Sequence, residues 1–181
     1  MKVNMNNKLI NWFQQKHSDY QCENQPLSEN SQLALQQLND NILTPLQAHF
    51  GELTITYGFT SFELLKYIKK NSPGDMAPEL DQHAAYELNS RGNKICKREG
   101  AACDIFVSGY ENQMHIVAQY VINELPFDRL YFYGKDRPIH ISFGPDNSKY
   151  LHVKRRDEHG KRNMGKGATG NKATALLQNS I

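Results

Sequence analysis

The chain has 181 residues, of which 39% are hydrophobic and 22% are charged. This length suits one domain with its own core and is short for two domains, and the apolar content is too high for a wholly disordered chain. No run approaches the roughly 18 apolar residues of a membrane span. The first residues lack the apolar core of a secretory signal, so we expect a cytoplasmic protein with no membrane contact.

The cysteines are few. Cys22, Cys96 and Cys103 are odd in number and form no Cys-x-x-Cys pair, which argues against a disulfide scaffold or a thiolate zinc site. We expect free thiols in a reducing compartment.

The charge is uneven along the chain. Residues 151–181 hold seven Lys or Arg against Asp157 and Glu158, a net charge of +5, which leaves −3 for residues 1–150. A basic tail can bind phosphate backbones because each neutralised phosphate releases counterions; the alternative is a solvated tail without a partner. The candidate nucleic-acid-binding residues are Lys154, Arg155, Arg156, Lys161, Arg162 and Lys166.

The first half of the chain is predicted to form four helices and one strand. Apolar residues at helical spacing alternate with turn residues, and Pro45 directly after Thr44 indicates a new helix start. A polar stretch containing Pro26 indicates a linker after the first helix. The predicted helices span residues 8–17, 31–42, 44–51 and 61–70, and the predicted strand spans residues 53–57.

The second half contains three more strands. Leu80, Ala84 and Leu88 lie four apart, which favours a helix over residues 79–89, and residues 111–124 form the clearest helical pattern. The predicted strands span residues 101–107, 127–133 and 139–143. After them, residues 150–153 are the last expected ordered segment, and the glycine-rich residues 164–170 are expected to be flexible.

This order of elements predicts an α+β fold with a small antiparallel sheet flanked by helices. We expect a single domain over residues 30–150. An N-terminal helix and linker over residues 1–29 precede it, and a basic, flexible tail over residues 151–181 follows it.

Polar residues inside apolar strands are the candidates for a catalytic or metal-binding site. Asp104 is the only acid in residues 100–107, and a buried carboxylate must be paired, protonated or metal-bound. His140 and Ser142 project from the face of their strand opposite Ile139 and Ile141. A carboxylate and two imidazoles are a ligand set of open zinc sites, and His83 would supply the second imidazole.

Each of these residues also has a plain structural interpretation. Glu87, one turn after His83 on the predicted helix, would share its face, and such a pair is often a surface ion pair. A histidine in a strand often bonds a backbone carbonyl, and His115 is most simply a flank of its helix's apolar face. The residues alone leave both interpretations open.

Four segments in order resemble the zinc D-Ala-D-Ala carboxypeptidase family, in its endolysin-like branch, whose fold is shared with the Hedgehog signalling domain. They are residues 53–61 (LTITYGFTS), 100–105 (GAACDI), 127–130 (FDRL) and 139–142 (IHIS). The resemblance covers about residues 30–145 and implies a Hedgehog-like fold. It also implies a zinc ion held by His, Asp and His, which makes Asp104 and His140 ligands.

The chain departs from the family pattern at three positions. The first zinc histidine falls in register on Lys97, so His83 is our hypothesis for its replacement. The catalytic glutamate falls near Tyr133, a weak base at neutral pH. The substrate-orienting arginine of the first block falls on Thr60.

Two functions follow as alternatives, beside a purely structural role. The first is a zinc-dependent peptidase or amidase acting on a cell-wall-peptide-like substrate, with His83, Asp104 and His140 as ligands and Glu87, Glu99 or Asp136 as candidate general base. The second is a catalytically degenerate member of the fold that binds nucleic acid or another anion through its tail. The candidate substrate- or anion-binding residues are Lys97, Arg98, Arg137 and Ser142.

Overall fold

A helical N-terminal segment leads into the sheet in the computed structural model, which describes residues 5–75, 80–156 and 162–181. The Oγ of Ser28 accepts a hydrogen bond from the Ser31 N–H and caps α2. The predicted break at Thr44 is wrong in detail, because Leu43 and Thr44 keep helical backbone angles through a π-turn. The elements are α1 (Met5–Asn11), a 3₁₀ turn (Trp12–Gln15), α2 (Glu29–Leu38), the π-turn (Asn39–Leu43) and α3 (Thr44–Phe50).

The sheet has six strands in the order β1-β2-β4-β3-β5-β6. Neighbouring strands are antiparallel except β3 and β5, which are parallel. The strands are β1 (Leu53–Tyr57), β2 (Ala101–Val107), β3 (Arg129–Phe132), β4 (Ile139–Phe143), β5 (Tyr150–Arg156) and β6 (Arg162–Thr169). The remaining helices are α4 (Phe62–Asn71), a 3₁₀ turn (Pro73–Asp75), α5 (Met114–Glu124) and α6 (Asn171–Gln178).

The predicted α+β class and single domain are confirmed, but the small antiparallel sheet is wrong: the sheet is larger and mixed. Asp128, just before β3, explains the parallel pair. Its Oδ1 accepts hydrogen bonds from the Ser148 N–H at 3.1 Å and the Ser148 hydroxyl at 2.6 Å, and its carbonyl accepts from the Tyr150 N–H at 3.0 Å. These bonds hold the start of β5 beside β3.

The C-terminal residues are ordered where they were expected to be flexible. Residues 162–169 pair with β5, and α6 buries Ala173 and Leu177. The glycines that suggested flexibility permit close approach of the two strands. A Cβ on Gly165 would collide with the Val153 carbonyl, and one on Gly167 would collide with the Tyr150 ring.

The predicted linker after the first helix is also part of the domain. Asn24 is buried, and its Nδ2 donates to the carbonyls of Ile10 and Phe59, each at 2.7 Å. Its Oδ1 accepts from the Ser61 N–H at 2.8 Å. One side chain therefore ties α1, the end of β1 and the start of α4 together.

The predicted helix over residues 79–89 is wrong. Residues 81–86 form successive turns, with positive φ at Gln82 and Ala85, and residues 76–79 lie outside the described ranges. The Gln82 side chain is withdrawn from solvent and donates to the Glu99 carbonyl and, at 3.0 Å, to Asp128. These long-range bonds outweigh the weak helical spacing of the leucines and alanine.

The sheet has one apolar and one polar face. The apolar face packs against α5 and α6, and its central residues Cys103, Leu130 and Ile141 are fully buried. On the other face, the register aligns Asp104 with His140, His140 with Tyr131, and Tyr131 with His152 across four strands. Directly paired residues share a face, so these side chains form one polar row.

The structure also bears on the expectations for the cysteines and for a membrane span. The cysteines carry free thiols, exposed at Cys22 and buried at Cys96 and Cys103. Within the described ranges, no helix combines the length and the apolar character needed to cross a bilayer.

Candidate metal centre

Three side chains converge at the β2 end of the polar row. His83 Nε2 lies 3.1 Å from His140 Nδ1, and Asp104 Oδ1 lies 2.9 Å from His140 Nδ1 and 3.5 Å from His83 Nε2. This group could hold a metal ion. Two ligand atoms of a tetrahedral zinc site, with bonds of about 2.0–2.1 Å, lie about 3.3 Å apart, so the separations fit such an ion.

The surroundings of His83 fix its tautomer. Its Nδ1 lies 3.2 Å from the Gly58 carbonyl, which can only accept a hydrogen bond, so Nδ1 carries the proton. Nε2 then presents its lone pair toward Asp104 and His140. A backbone carbonyl on the outer nitrogen is a common way to orient a ligating histidine.

His140 is buried and offers Nδ1 to the group. Its Nε2 is also buried and has no hydrogen-bond partner among the described residues. Asp104 is the most accessible of the three, with 20% of its side chain exposed. The carboxylate is therefore the part of the group nearest to solvent.

Electrostatics favour a carboxylate beside neutral imidazole. Burial alone would raise the pKa of Asp104, but the neighbouring His140 and His83 side chains outweigh burial and hold that pKa well below its usual value. Burial lowers the pKa of His140, and the opposing effect of Asp104 does not restore it. An ionised carboxylate and an unprotonated imidazole are the forms that bind metal.

A partly buried ion pair supports the polar row. Tyr131 stacks on His140 with ring centroids 4.5 Å apart and donates its hydroxyl proton to Asp81. Arg98 makes two bonds to the Asp81 carboxylate, at 3.0 and 2.8 Å. Burial raises the pKa of Asp81, but the bonds from Arg98 and Tyr131 bring it below its ordinary value.

The turn that carries His83 is anchored on both sides. Gln82 binds the Glu99 carbonyl and the Asp128 carboxylate, and the His83 carbonyl accepts from the Thr60 N–H at 3.0 Å. Asp81 and Gln82 thus fix the backbone immediately before the ligand.

The four candidate catalytic residues lie outside the group. Glu87 is buried and accepts hydrogen bonds from the N–H groups of Leu27 and Ser28. Its carboxylate is therefore bound to the backbone that directly precedes α2. Glu99 forms a surface ion pair with Lys94 at 2.7 Å. Tyr133 is half-buried and Asp136 is exposed on the β3–β4 connection.

The four candidate anion-binding residues are dispersed. Lys97 is exposed and lines a cavity of about 410 Å³ with Arg98, but Arg98 is paired with Asp81. Arg137 is exposed on the β3–β4 connection. Ser142 shares the face of His140 but is buried, and its Oγ accepts from the Arg129 N–H at 3.0 Å.

Five of the six candidate nucleic-acid-binding residues lie on the last two strands. Lys154 Nζ lies 4.7 Å from the centre of the Tyr131 ring, and Lys166 is exposed. Arg155 and Arg156 belong to β5 and Arg162 to β6. Lys161 lies outside the described residues.

Sequence reasoning missed Asp81, Gln82 and Asp128. Asp128 follows Phe127 and precedes an apolar strand, so it carried the same signal as Asp104, a lone acid in an apolar setting. The sequence around Tyr131 gives no sign of its role, yet the residue is buried and stacks on His140.

Comparison of the chain with protein-family models, with curated proteins and with solved structures finds no match. The proposed function therefore rests on the residues of the site.

Proposed function

We propose that this protein is a zinc-dependent hydrolase of amide bonds, with a peptide as its substrate. The convergence of His83, Asp104 and His140 carries the proposal. Two imidazoles and a carboxylate suit zinc and leave its fourth position for water. When bound, the ion would lower the pKa of that water and polarise a carbonyl oxygen.

We further propose that the fold is of the Hedgehog and D-Ala-D-Ala carboxypeptidase type. The three residues occur in the chain order His, Asp, His that the resemblance implies. The family register places Lys97 where the first zinc histidine is expected. We take His83 as its replacement, because His83 is the histidine that meets Asp104 and His140. The turn at residues 81–86 and the following segment supply the extra length between His83 and Asp104.

The ligands would act together with groups at the same end of the sheet. The Gly58 carbonyl holds the proton of His83 on Nδ1, and Tyr131 restricts the His140 ring. The partial exposure of Asp104 admits a substrate carbonyl from one side. His140 lies at the start of β4, beside the β3–β4 connection.

We propose Asp136 as the general base. Glu87 and Glu99 are held by other partners, whereas Asp136 is exposed on the connection that precedes β4, the strand of His140. An exposed carboxylate on a turn can approach a bound water without breaking a buried contact. Tyr133, on the same connection, is the second candidate.

The test is hydrolysis of short peptides, including cell-wall-type peptides ending in D-Ala-D-Ala, by zinc-loaded and chelator-treated protein. We expect cleavage only by the zinc-loaded form. Asp136→Asn should reduce cleavage at least 100-fold, whereas Glu99→Gln, a matched surface control, should leave it unchanged. Zinc-loaded protein that cleaves no amide substrate would overturn the enzymatic proposal.

A further inference from the structure

The last two strands extend beyond the rest of the sheet. β3 pairs with β5 only as far as Phe132 and Val153. The β5–β6 pair continues past that point through Arg155 with Asn163 and Arg156 with Arg162. Residues 154–156 and 162–165 therefore form a two-stranded antiparallel ribbon, which we call the basic ribbon.

The basic ribbon is rich in positive charge. Lys154, Arg155 and Arg156 lie on one strand and Arg162 lies on the other, and neither β5 nor β6 contains an acidic residue. Lys166, at the base of the ribbon, is exposed. The charge contrasts with the net −3 of residues 1–150. Lysines on an edge strand also protect it from aggregation. The four cations of the ribbon outnumber Asp157 and Glu158, which lie between the two strands in the sequence, and this excess favours an anionic partner.

We propose that the basic ribbon binds duplex DNA. The major groove of B-DNA, about 12 Å wide, admits a two-stranded β-ribbon. The register shift between Val153 and Arg155 marks a bulge, and bulges increase the right-handed twist of a ribbon. The positive charge carried by both strands complements the phosphates that border the groove on both sides.

The geometry separates DNA from other polyanions. The major groove of duplex RNA is deep and narrow and does not admit such a ribbon. An anionic membrane would need a flat cationic face or apolar anchors, whereas the ribbon is narrow and its sequence offers only Met164 as an apolar anchor. This DNA-binding function is independent of the proposed metal chemistry.

The test is fluorescence anisotropy of a labelled 20-base-pair DNA duplex titrated with full-length protein between 50 and 200 mM salt. The ribbon variant Arg155→Gln/Arg156→Gln/Arg162→Gln loses three charges. The control Lys16→Gln/Lys69→Gln/Lys70→Gln loses three exposed charges elsewhere, so the two variants have equal net charge. The melting temperature of each variant shows whether it is folded.

We expect the ribbon variant to bind duplex DNA roughly 10- to 100-fold more weakly, with the salt slope reduced by about 2.7. The control should stay within about threefold of wild type. Unlabelled duplex DNA should compete better than duplex RNA or phosphatidylserine vesicles. Equal losses in both variants, absence of wild-type binding at 50 mM salt, or better competition by the vesicles would each overturn the proposal. If the ribbon variant fails to fold, the single substitution Arg156→Gln replaces it and should reduce the salt slope by about 0.9, and an unchanged slope would overturn the proposal.

Discussion

Tyr131 lies face to face with His140, with ring centroids 4.5 Å apart and an interplanar angle of 15°. The Tyr131 hydroxyl donates to Asp81, which Arg98 holds through two hydrogen bonds. Through this chain of contacts, a partly buried ion pair restricts the orientation of one candidate ligand. We therefore expect Tyr131 to be a positioning residue for the candidate metal centre.

Replacing the Tyr131 ring should weaken metal binding. Tyr131→Ala removes the stacked surface and should lower zinc affinity about 10- to 100-fold, the range seen for residues that orient metal ligands. Tyr131→Phe keeps the ring and should lower affinity less than tenfold. Competition with a chromophoric chelator measures both. Equal affinity in wild type and Tyr131→Ala would contradict the positioning role.

Removal of the Gln82 amide should destabilise the turn that carries His83. Gln82→Ala leaves the buried Asp128 carboxylate without one of its donors, and an unsatisfied buried group costs about 1–3 kcal/mol. Urea denaturation measures this loss. Gln37→Ala, at an exposed position of α2, is the control and should change the free energy of unfolding by less than about 0.5 kcal/mol. Indistinguishable results for the two variants would contradict the role of Gln82.

The Arg98 bonds should make stability depend on acidity. Arg98 lowers the pKa of Asp81 below the ordinary 3.8, so the folded state holds its proton more weakly than the unfolded chain. This stabilisation is present above pH 3.8 and is lost as the pH falls through the lower folded-state pKa. In Arg98→Met, the free energy of unfolding should be lower at neutral pH and should fall less steeply in acid. Parallel acid profiles for wild type and variant would refute this account.

His17 should give a second pH dependence, at higher pH. Its ring is buried between Trp12 and Tyr67, and burial holds its pKa below 6.5 despite the opposing charge of Asp75. As the pH falls below 6.5, the unfolded chain therefore binds a proton at His17 more readily than the folded protein does. This difference lowers the free energy of unfolding. His17→Phe should flatten the pH dependence of the melting temperature in that window. His115→Phe is the matched control, and an unchanged wild-type slope in His17→Phe would exclude this explanation.

The candidate site was predictable where polar residues interrupt apolar strands. Asp104 and His140 stand out for this reason, and the alternation of side chains places them on faces that the register then aligns. His83 could be named only as a candidate second imidazole, because nothing local distinguishes it from a surface histidine and the register of the resemblance points to Lys97 instead. Its predicted helix was wrong, yet the residue still meets Asp104.

The parts that could not be predicted depend on long-range bonds. The parallel pairing of β5 with β3 follows from Asp128 and Ser148, which lie 20 residues apart. The turn at residues 81–86 follows from Gln82, whose partners come from two other segments. Neither bond leaves a periodic pattern. Strand β6 was not predicted, because a glycine-rich segment is as typical of a flexible loop as of two closely packed strands.

The central claim is a metal ion held by His83, Asp104 and His140, and metal analysis of the purified full-length chain tests it most directly. We expect about one zinc per chain after reconstitution and dialysis, as one His₂Asp site predicts. The ion should be lost in His83→Ala and in His140→Ala but retained in His115→Ala. Protein that retains no stoichiometric metal, or retains it equally in all three variants, would contradict the account.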